Sequence, residues 1–405
     1  MSDITISYNG NTIGTMDASG TKKLLTAGKY CEDDIDIAYV KPSGVVEAPY
    51  NDVNFYDYDG TIVYSYSASD FANLSAMPAN PTHDGLTAQG WNWTLADAKA
   101  QVLVSGALDI GQMYKTSDGK TRLYIRILDN LAMNLRLYLY QSVGQGVTID
   151  WGDGSATETV SGTGVKSANH TYSTIGDYVI TLTVTSGTMK LGGTASNAQI
   201  ITRNENADGN PKACRSTLRG IAVGDNCEYN TWALYNEHLI EFAIVSTTSG
   251  WMNYAYYCRN LKHITIPSEH DYAYARICSA LQSISVPKSV ATFGASGFEG
   301  CSALQRVVFP NGITSLPGSV LYGCGGIVRL VIPSSVASIG ASAFRNCEGL
   351  MEIHFKPTTP PTLGDGTVFQ NVPTTCKIYV PTGKLSAYTS ADNYPSSSTY
   401  TYIEE

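Results

Sequence analysis

The chain has 405 residues, of which 43% are apolar and only 15% charged, and its net charge is −9. That length exceeds the roughly 250–300 residues at which a single core usually divides, so several domains are expected. The acidic balance and the lack of any Lys/Arg cluster exclude a nucleic-acid-binding stripe, and no apolar run reaches the ~20 residues of a membrane span.

Residues 1–48 read as a small β module. MSDITISYNGNTIG has neither the basic start nor the apolar core of a signal peptide and reads as strand, turn, strand. CEDDIDIAYV is a further alternating strand, with Ile35 and Ile37 on one face and acids on the other. This segment resembles the short N-terminal module of tail and virion proteins encoded by phages of gut Firmicutes. The resemblance implies attachment to other virion proteins.

In residues 49–118, FYDYDGTIVYSYS predicts a hairpin about its Asp-Gly turn, and TLADAKAQV predicts a short helix. Pro78 and Pro81 mark a boundary or a turn, and His83–Asp84 beside a glycine reads as a turn rather than a dyad. Trp91 and Trp93 around Asn92 could stack sugars or anchor the helix; the anchor reading is favoured because Trp is highly buried on average. HDGL with QGWNW resembles the same phage-type proteins.

Residues 119–200 alternate with period two in RLYIRIL, LRLYLY, VTIDW and YVITLTV, separated by turn signals, which predicts a β-sandwich. WGDG followed by HTYSTIGDY resembles the PKD domain, an immunoglobulin-like sandwich of extracellular proteins. Trp151 is then a core anchor. Asp153 and His170 have no nucleophile beside them, so a structural role is expected. Asp150, Asp153 and Asp177 are weak calcium candidates, as carboxylates in a β-turn suit a hard cation.

Residues 201–380 carry the strongest signal, an internal repeat. Leu218, Leu239, Leu261, Leu281, Leu304, Ile327 and Leu350 each open an apolar-x-x-apolar-x-apolar segment, at spacings of 20–23 residues. Such a strand buries its inward side chains only when the next copy stacks on it, so the pattern predicts a solenoid. Cys258, Cys278, Cys301, Cys324 and Cys347 each stand three residues before the leucine position. A ladder of buried free thiols is expected of them. An occasional disulfide and a metal site are the alternatives, the latter without any CxxC-like pairing of ligands. The repeat resembles the BspA-like leucine-rich repeat of bacterial adhesins and phage-encoded surface proteins. Residues 381–405 resemble the segment that closes such solenoids and are expected to cap the last coil.

The early coils depart from the pattern, reading CEYNTWALYNEH, SGWMNYAYYC and SEHDYAYARIC. Tyr, Trp, Asn and His are the composition of adaptable recognition surfaces. Tyr229, Trp251, Tyr254, Tyr257, His270, Tyr272 and Tyr274 are the candidate ligand-binding residues, while Trp232 and Tyr256 are expected to fill core volume. The fold expected is mainly β and multidomain: N-terminal β module, immunoglobulin-like sandwich, leucine-rich-repeat solenoid. The function expected is a non-enzymatic phage virion surface protein, a tail-fibre, tail-tip or head-decoration component that recognises a bacterial surface glycan or protein. It uses no cofactor, nucleic acid or membrane insertion; a homo-oligomer is among the partners expected, although no coiled-coil heptad enforces one. A bacterial cell-surface adhesin is the alternative. A glycan-degrading enzyme would need carboxylates paired across a cleft, and nothing nominates such a pair.

Overall fold

A computed structural model describes residues 4–8, 11–16, 22–23, 52–127, 134–142, 146–192, 200–203, 218–229, 234–235, 241–244 and 255–405. Ile4–Tyr8, Asn11–Met16 and Lys22–Lys23 form a three-stranded antiparallel sheet. The strand read in CEDDIDIAYV lies outside the described residues.

The next unit is a four-stranded sheet in the order Ile62–Tyr66, Val53–Tyr56, Leu108–Thr116, Leu86–Trp91. The predicted hairpin is its first pair, in antiparallel register. Val53–Tyr56 also runs parallel to Leu108–Thr116, and the crossover between them carries the helices Ala68–Ala72 and Leu95–Ser105. The longer helix starts at Thr94, whose side chain accepts from the Asp97 N–H, and ends at Gly106, whose φ of 69° suits a residue without Cβ. Strand alternation then sorts the sheet. Val53, Phe55, Leu108 and Ile110 pack with Phe71, Ala98 and Val102 of the helices, while Asn54, Tyr56, Asp109 and Gly111 alternate with them.

Residues 121–244 build two packed sheets. One runs Glu158–Val160, Val147–Asp150, Gly176–Val184, Thr121–Ile127, Leu218–Ala222, Phe242–Ile244. The other runs Gly164–Thr171, Asn134–Gln141, Met189–Leu191, Cys227–Tyr229, with Ile201–Arg203 also on Asn134–Gln141. Their inward residues, among them Leu123, Ile125, Leu137, Leu139, Ile149 and Leu182, are 0–2% exposed. Trp151 is 2% exposed: the His170 ring stacks on it at 4.6 Å, and its carbonyl accepts the Tyr172 hydroxyl at 2.9 Å.

Both sheets run on into the solenoid without an edge. Leu218–Ala222 is antiparallel to Thr121–Ile127 on one side and parallel to Phe242–Ile244 on the other. Met189–Leu191 likewise pairs in parallel with Cys227–Tyr229. The sandwich therefore caps the first coil, and one apolar core continues from Leu123 to Tyr388. This answers the requirement that a solenoid end be covered.

The front strands stack in parallel in two runs: His263–Thr265 on Ser283–Ser285, and, beyond the coil of Leu304, Arg329–Ile332, Glu352–Phe355, Lys377–Val380 and Thr401–Glu404 in turn. After the strand a β-turn recurs, from Pro267 O to His270 N, Pro287 O to Val290 N and Pro333 O to Val336 N. Leu261, Leu281, Leu304, Ile327 and Leu350 stack inside at 0–1% exposure. At the far end Tyr388 and Tyr394 pack on Phe355 and donate their hydroxyls to the Pro357 and Pro361 carbonyls.

Candidate recognition surface

The cysteines line the inside of the flank. Cys227, Cys258, Cys278, Cys301, Cys324, Cys347 and Cys376 are all free and buried. Cys301, Cys324 and Cys347 donate their thiols to the Ala275, Phe298 and Leu321 carbonyls at 2.7, 3.0 and 3.2 Å, and Cys278 reaches Ala255 at 3.6 Å. Every acceptor lies three residues before the previous cysteine, so each thiol ties its coil to the one before. A thiol suits this place because it is small, apolar and still a weak donor. Burial pushes Cys301 and Cys324 well above the ordinary thiol range, Cys347 to about 12 and Cys376 to about 11. Cys31 and Cys214 lie outside the described residues.

Immediately before Cys258, Cys278, Cys301, Cys324 and Cys347 the backbone enters the left-handed region. Gly300 and Gly323 stand there at φ 74° and 73°, and Asn346 at 60°. Glycine and asparagine are the residues that tolerate it. In the early coils the same position holds Tyr257 at φ 59° and Ile277 at 56°. A β-branched or bulky side chain there is strained by about 1–3 kcal/mol, and such strain persists where the surroundings hold it.

One residue earlier, a column of half-buried side chains runs along the flank: Tyr256, Arg276, Glu299, Tyr322, Arg345. Backbone bonds set the stacking, from Ile277 N to Glu299 O, Gly300 N to Tyr322 O and Gly323 N to Arg345 O. The Arg276 guanidinium lies 5.7 Å from the Tyr256 ring and 2.9 Å from the Glu299 carboxylate. Arg345 lies 5.6 Å from the Tyr322 ring. Tyr256, expected to fill core volume, is half-buried, with the Arg276 cation against its ring. This column was missed by sequence reasoning, although each member stands two residues before a cysteine.

The predicted binding residues fall as follows. Tyr257 is half-buried, edge-on to Tyr256 at 4.4 Å, with the Arg259 guanidinium 5.7 Å from its ring. Tyr272 and Tyr274 are half-buried and lie against Gly294 of the next coil, where any side chain would collide with both rings. His270 is buried at 9% exposure and its backbone serves the turn after the strand, which removes it from a surface role. Tyr229 ends the strand Cys227–Tyr229, and Trp232, Trp251 and Tyr254 lie outside the described residues.

The calcium candidates are separated by their partners. Asp150 accepts from the Gly152 N–H, Asp153 from the Ser155 N–H and the His170 ring, and Asp177 pairs with Arg126. Burial would raise the Asp153 carboxyl, but the Ser155 and His170 hydrogen bonds outweigh it and hold it at about 2. Among the described residues no cluster of His, Cys, Asp or Glu is arranged to hold a metal ion.

The front of the middle coils, an open face in a bare solenoid, is covered by the chain's own four-stranded module. Asn92 is 2% exposed; its amide donates to Ile266 O and Ser285 O at 2.9 and 3.2 Å, and its oxygen accepts from Gly111 N and Ser285 Oγ at 2.9 and 3.0 Å. The Trp93 indole donates to Val286 O at 3.0 Å, and Trp91 to Pro78 O at 2.9 Å. Tyr56 stacks on His263 at 4.8 Å, Gly111 admits the Thr265 side chain, and Arg306 pairs with the buried Asp109. Both tryptophans are anchors within the chain, not sugar platforms.

Among known proteins, residues 216–276 and 269–389 match the BspA type leucine rich repeat region, in six copies. No curated protein matches the chain. Among solved structures, the chain is similar to the pneumococcal vaccine antigen PcpA, at 18% identity and a TM-score of 0.27. The likeness covers 36% of this chain and 41% of that one, so the chain spans less than half of that antigen's length. It is also similar to a leucine-rich repeat protein from Bacteroides ovatus ATCC 8483, at 17% identity and a TM-score of 0.24, covering 46% and 66%. The C-terminal part of the chain is a leucine-rich-repeat solenoid, and its repeats match the model of the BspA type.

Proposed function

We propose that the chain is a non-enzymatic recognition protein that engages a bacterial surface glycan or protein through the tyrosine-rich flank of its early coils. One observation carries this reading. Strained side chains, Tyr257 and Ile277, are kept at the left-handed position where the regular coils use Gly or Asn, and they sit beside Tyr256, Tyr272, Tyr274 and Arg276. Strain of this kind collects at binding sites, and rigid aromatic rings give contact area at low entropic cost. The coverage of the front by the chain's own module supports it further, because the flank is what the same coils leave to a partner. The reading without catalysis rests on the sequence, which nominates no carboxylates paired across a cleft.

The test replaces Tyr257 and Ile277 together by Gly. Strain relief should hold or raise the melting temperature, while binding to target cells falls at least tenfold. Unchanged binding with the fold intact overturns the proposal.

We further place the protein on a phage particle, joined to other virion proteins by residues 1–48; the alternative is a bacterial cell surface. The virion reading rests on the resemblance of that N-terminal module, and the sandwich is read as PKD-like from its WGDG turn and the Trp151–His170–Tyr172 stack. Antibody labelling of particles and of cells distinguishes the two locations.

A further inference from the structure

The docked module and the solenoid front leave a cleft between them. Its volume is about 220 Å³, that of roughly seven waters, which is the scale of one sugar ring. Val308, Val331 and Ala107 form apolar walls, and Gln282, Gln305, Arg306 and Arg329 supply polar groups. We propose that this cleft is a second binding site, for a single neutral pyranose ring of a saccharide.

Charge decides against an ionic ligand. The cleft is lined by two cations, Arg306 and Arg329, and two acids, Asp52 and Asp109. Arg306 is paired with Asp109 through two nitrogens. Arg329 donates Nη1 to the Ser105 carbonyl at 3.2 Å, at the end of the helix Leu95–Ser105, and its Nε lies 3.9 Å from Glu352. An ion entering here would meet no net charge. What remains is hydrogen-bonding capacity. The exposed amide of Gln282 offers a donor and an acceptor and has no partner among the described residues. Arg329 commits Nε to His354 and Nη1 to Ser105, which leaves Nη2 as a further donor without an acceptor among the described residues. Donor–acceptor groups of this kind recognise adjacent hydroxyls, and an apolar wall suits the C–H face of the ring. The site lies on the front of the coils, apart from the tyrosine-rich flank, and does not depend on what that flank binds.

The full chain is titrated with methyl glycosides of glucose, galactose, mannose and N-acetylglucosamine, and with glucuronate as the charged control, by saturation-transfer NMR and calorimetry. At least one neutral probe should bind saturably, with a dissociation constant on the order of 1 mM. Gln282→Ala should weaken it roughly tenfold and Gln282→Trp should abolish it, both at an unchanged melting temperature because the residue is exposed. The proposal is overturned if no neutral probe binds saturably, if glucuronate binds in preference, or if Gln282→Trp has no effect.

Discussion

Asn92 is the residue whose change reports most directly on the docking of the module. All four of its hydrogen-bonding positions are occupied, two by carbonyls of adjacent coils and two by donors, at 2% exposure. Asn92→Asp keeps the shape and reverses half of this pattern. A carboxylate oxygen replaces the NH₂ and faces the Ile266 and Ser285 carbonyls with no donor between them. A buried charge left without a partner costs about 3–5 kcal/mol. Asn92→Leu removes the amide instead. It orphans the Gly111 N–H and takes one donor from Ile266 O, about 2–4 kcal/mol in total; Ser285 Oγ loses less, since its one proton, shared between Asn92 Oδ1 and Asp109 O, then goes to Asp109 O alone. Urea unfolding followed by tryptophan fluorescence reads both, because Trp93 is bonded to the same coil. The Asp variant should be the less stable at pH 7. Its deficit should narrow on acidification, as a protonated carboxyl can again donate once. An Asp variant within about 0.5 kcal/mol of the parent would refute the docking of Asn92 between the coils.

Other outcomes follow from the same geometry. Ile277→Asn should stabilise the chain by about 1 kcal/mol, and Asn346→Val should cost about 1–2 kcal/mol, as measured by thermal unfolding. Cys301, Cys324 and Cys347 should alkylate at pH 8 at least about a thousandfold more slowly in the folded chain than after denaturation, because burial keeps them as thiols. Burial holds the His263 ring at about 3, below its unfolded range, so the unfolded chain binds the extra proton. Stability should therefore fall as pH drops below about 6.5, and His263→Gln should flatten that slope, as seen in unfolding at stepped pH. Asp153 contributes stability that is present above its unfolded value and lost between about pH 4 and 2, on the order of 1–2 kcal/mol. Asp153→Asn should remove that phase of acid unfolding.

Much of the solenoid was legible because its signal is local and repeated. Leu281, Leu304 and Ile327 recur at the period of one coil, and a cysteine three residues earlier marks the turn. The column of Arg276, Glu299, Tyr322 and Arg345 was equally regular in spacing but mixed in chemistry, so a reading keyed to residue type passed over it. His270 misled for a related reason. It lies in a polar stretch, yet the turn after the strand folds it inward.

By itself the sequence determined the coil period, the inward thiols, the alternation of the sandwich strands and the helix behind Trp93, since each follows from neighbours within a few residues. Only the tertiary structure decided that the sandwich continues into the first coil and that the module closes over the front. Those contacts join Leu218 to Ile125 and Asn92 to Ser285, residues 93 and 193 positions apart. No local pattern specifies partners so distant; complementary shape, charge and unsatisfied backbone groups do.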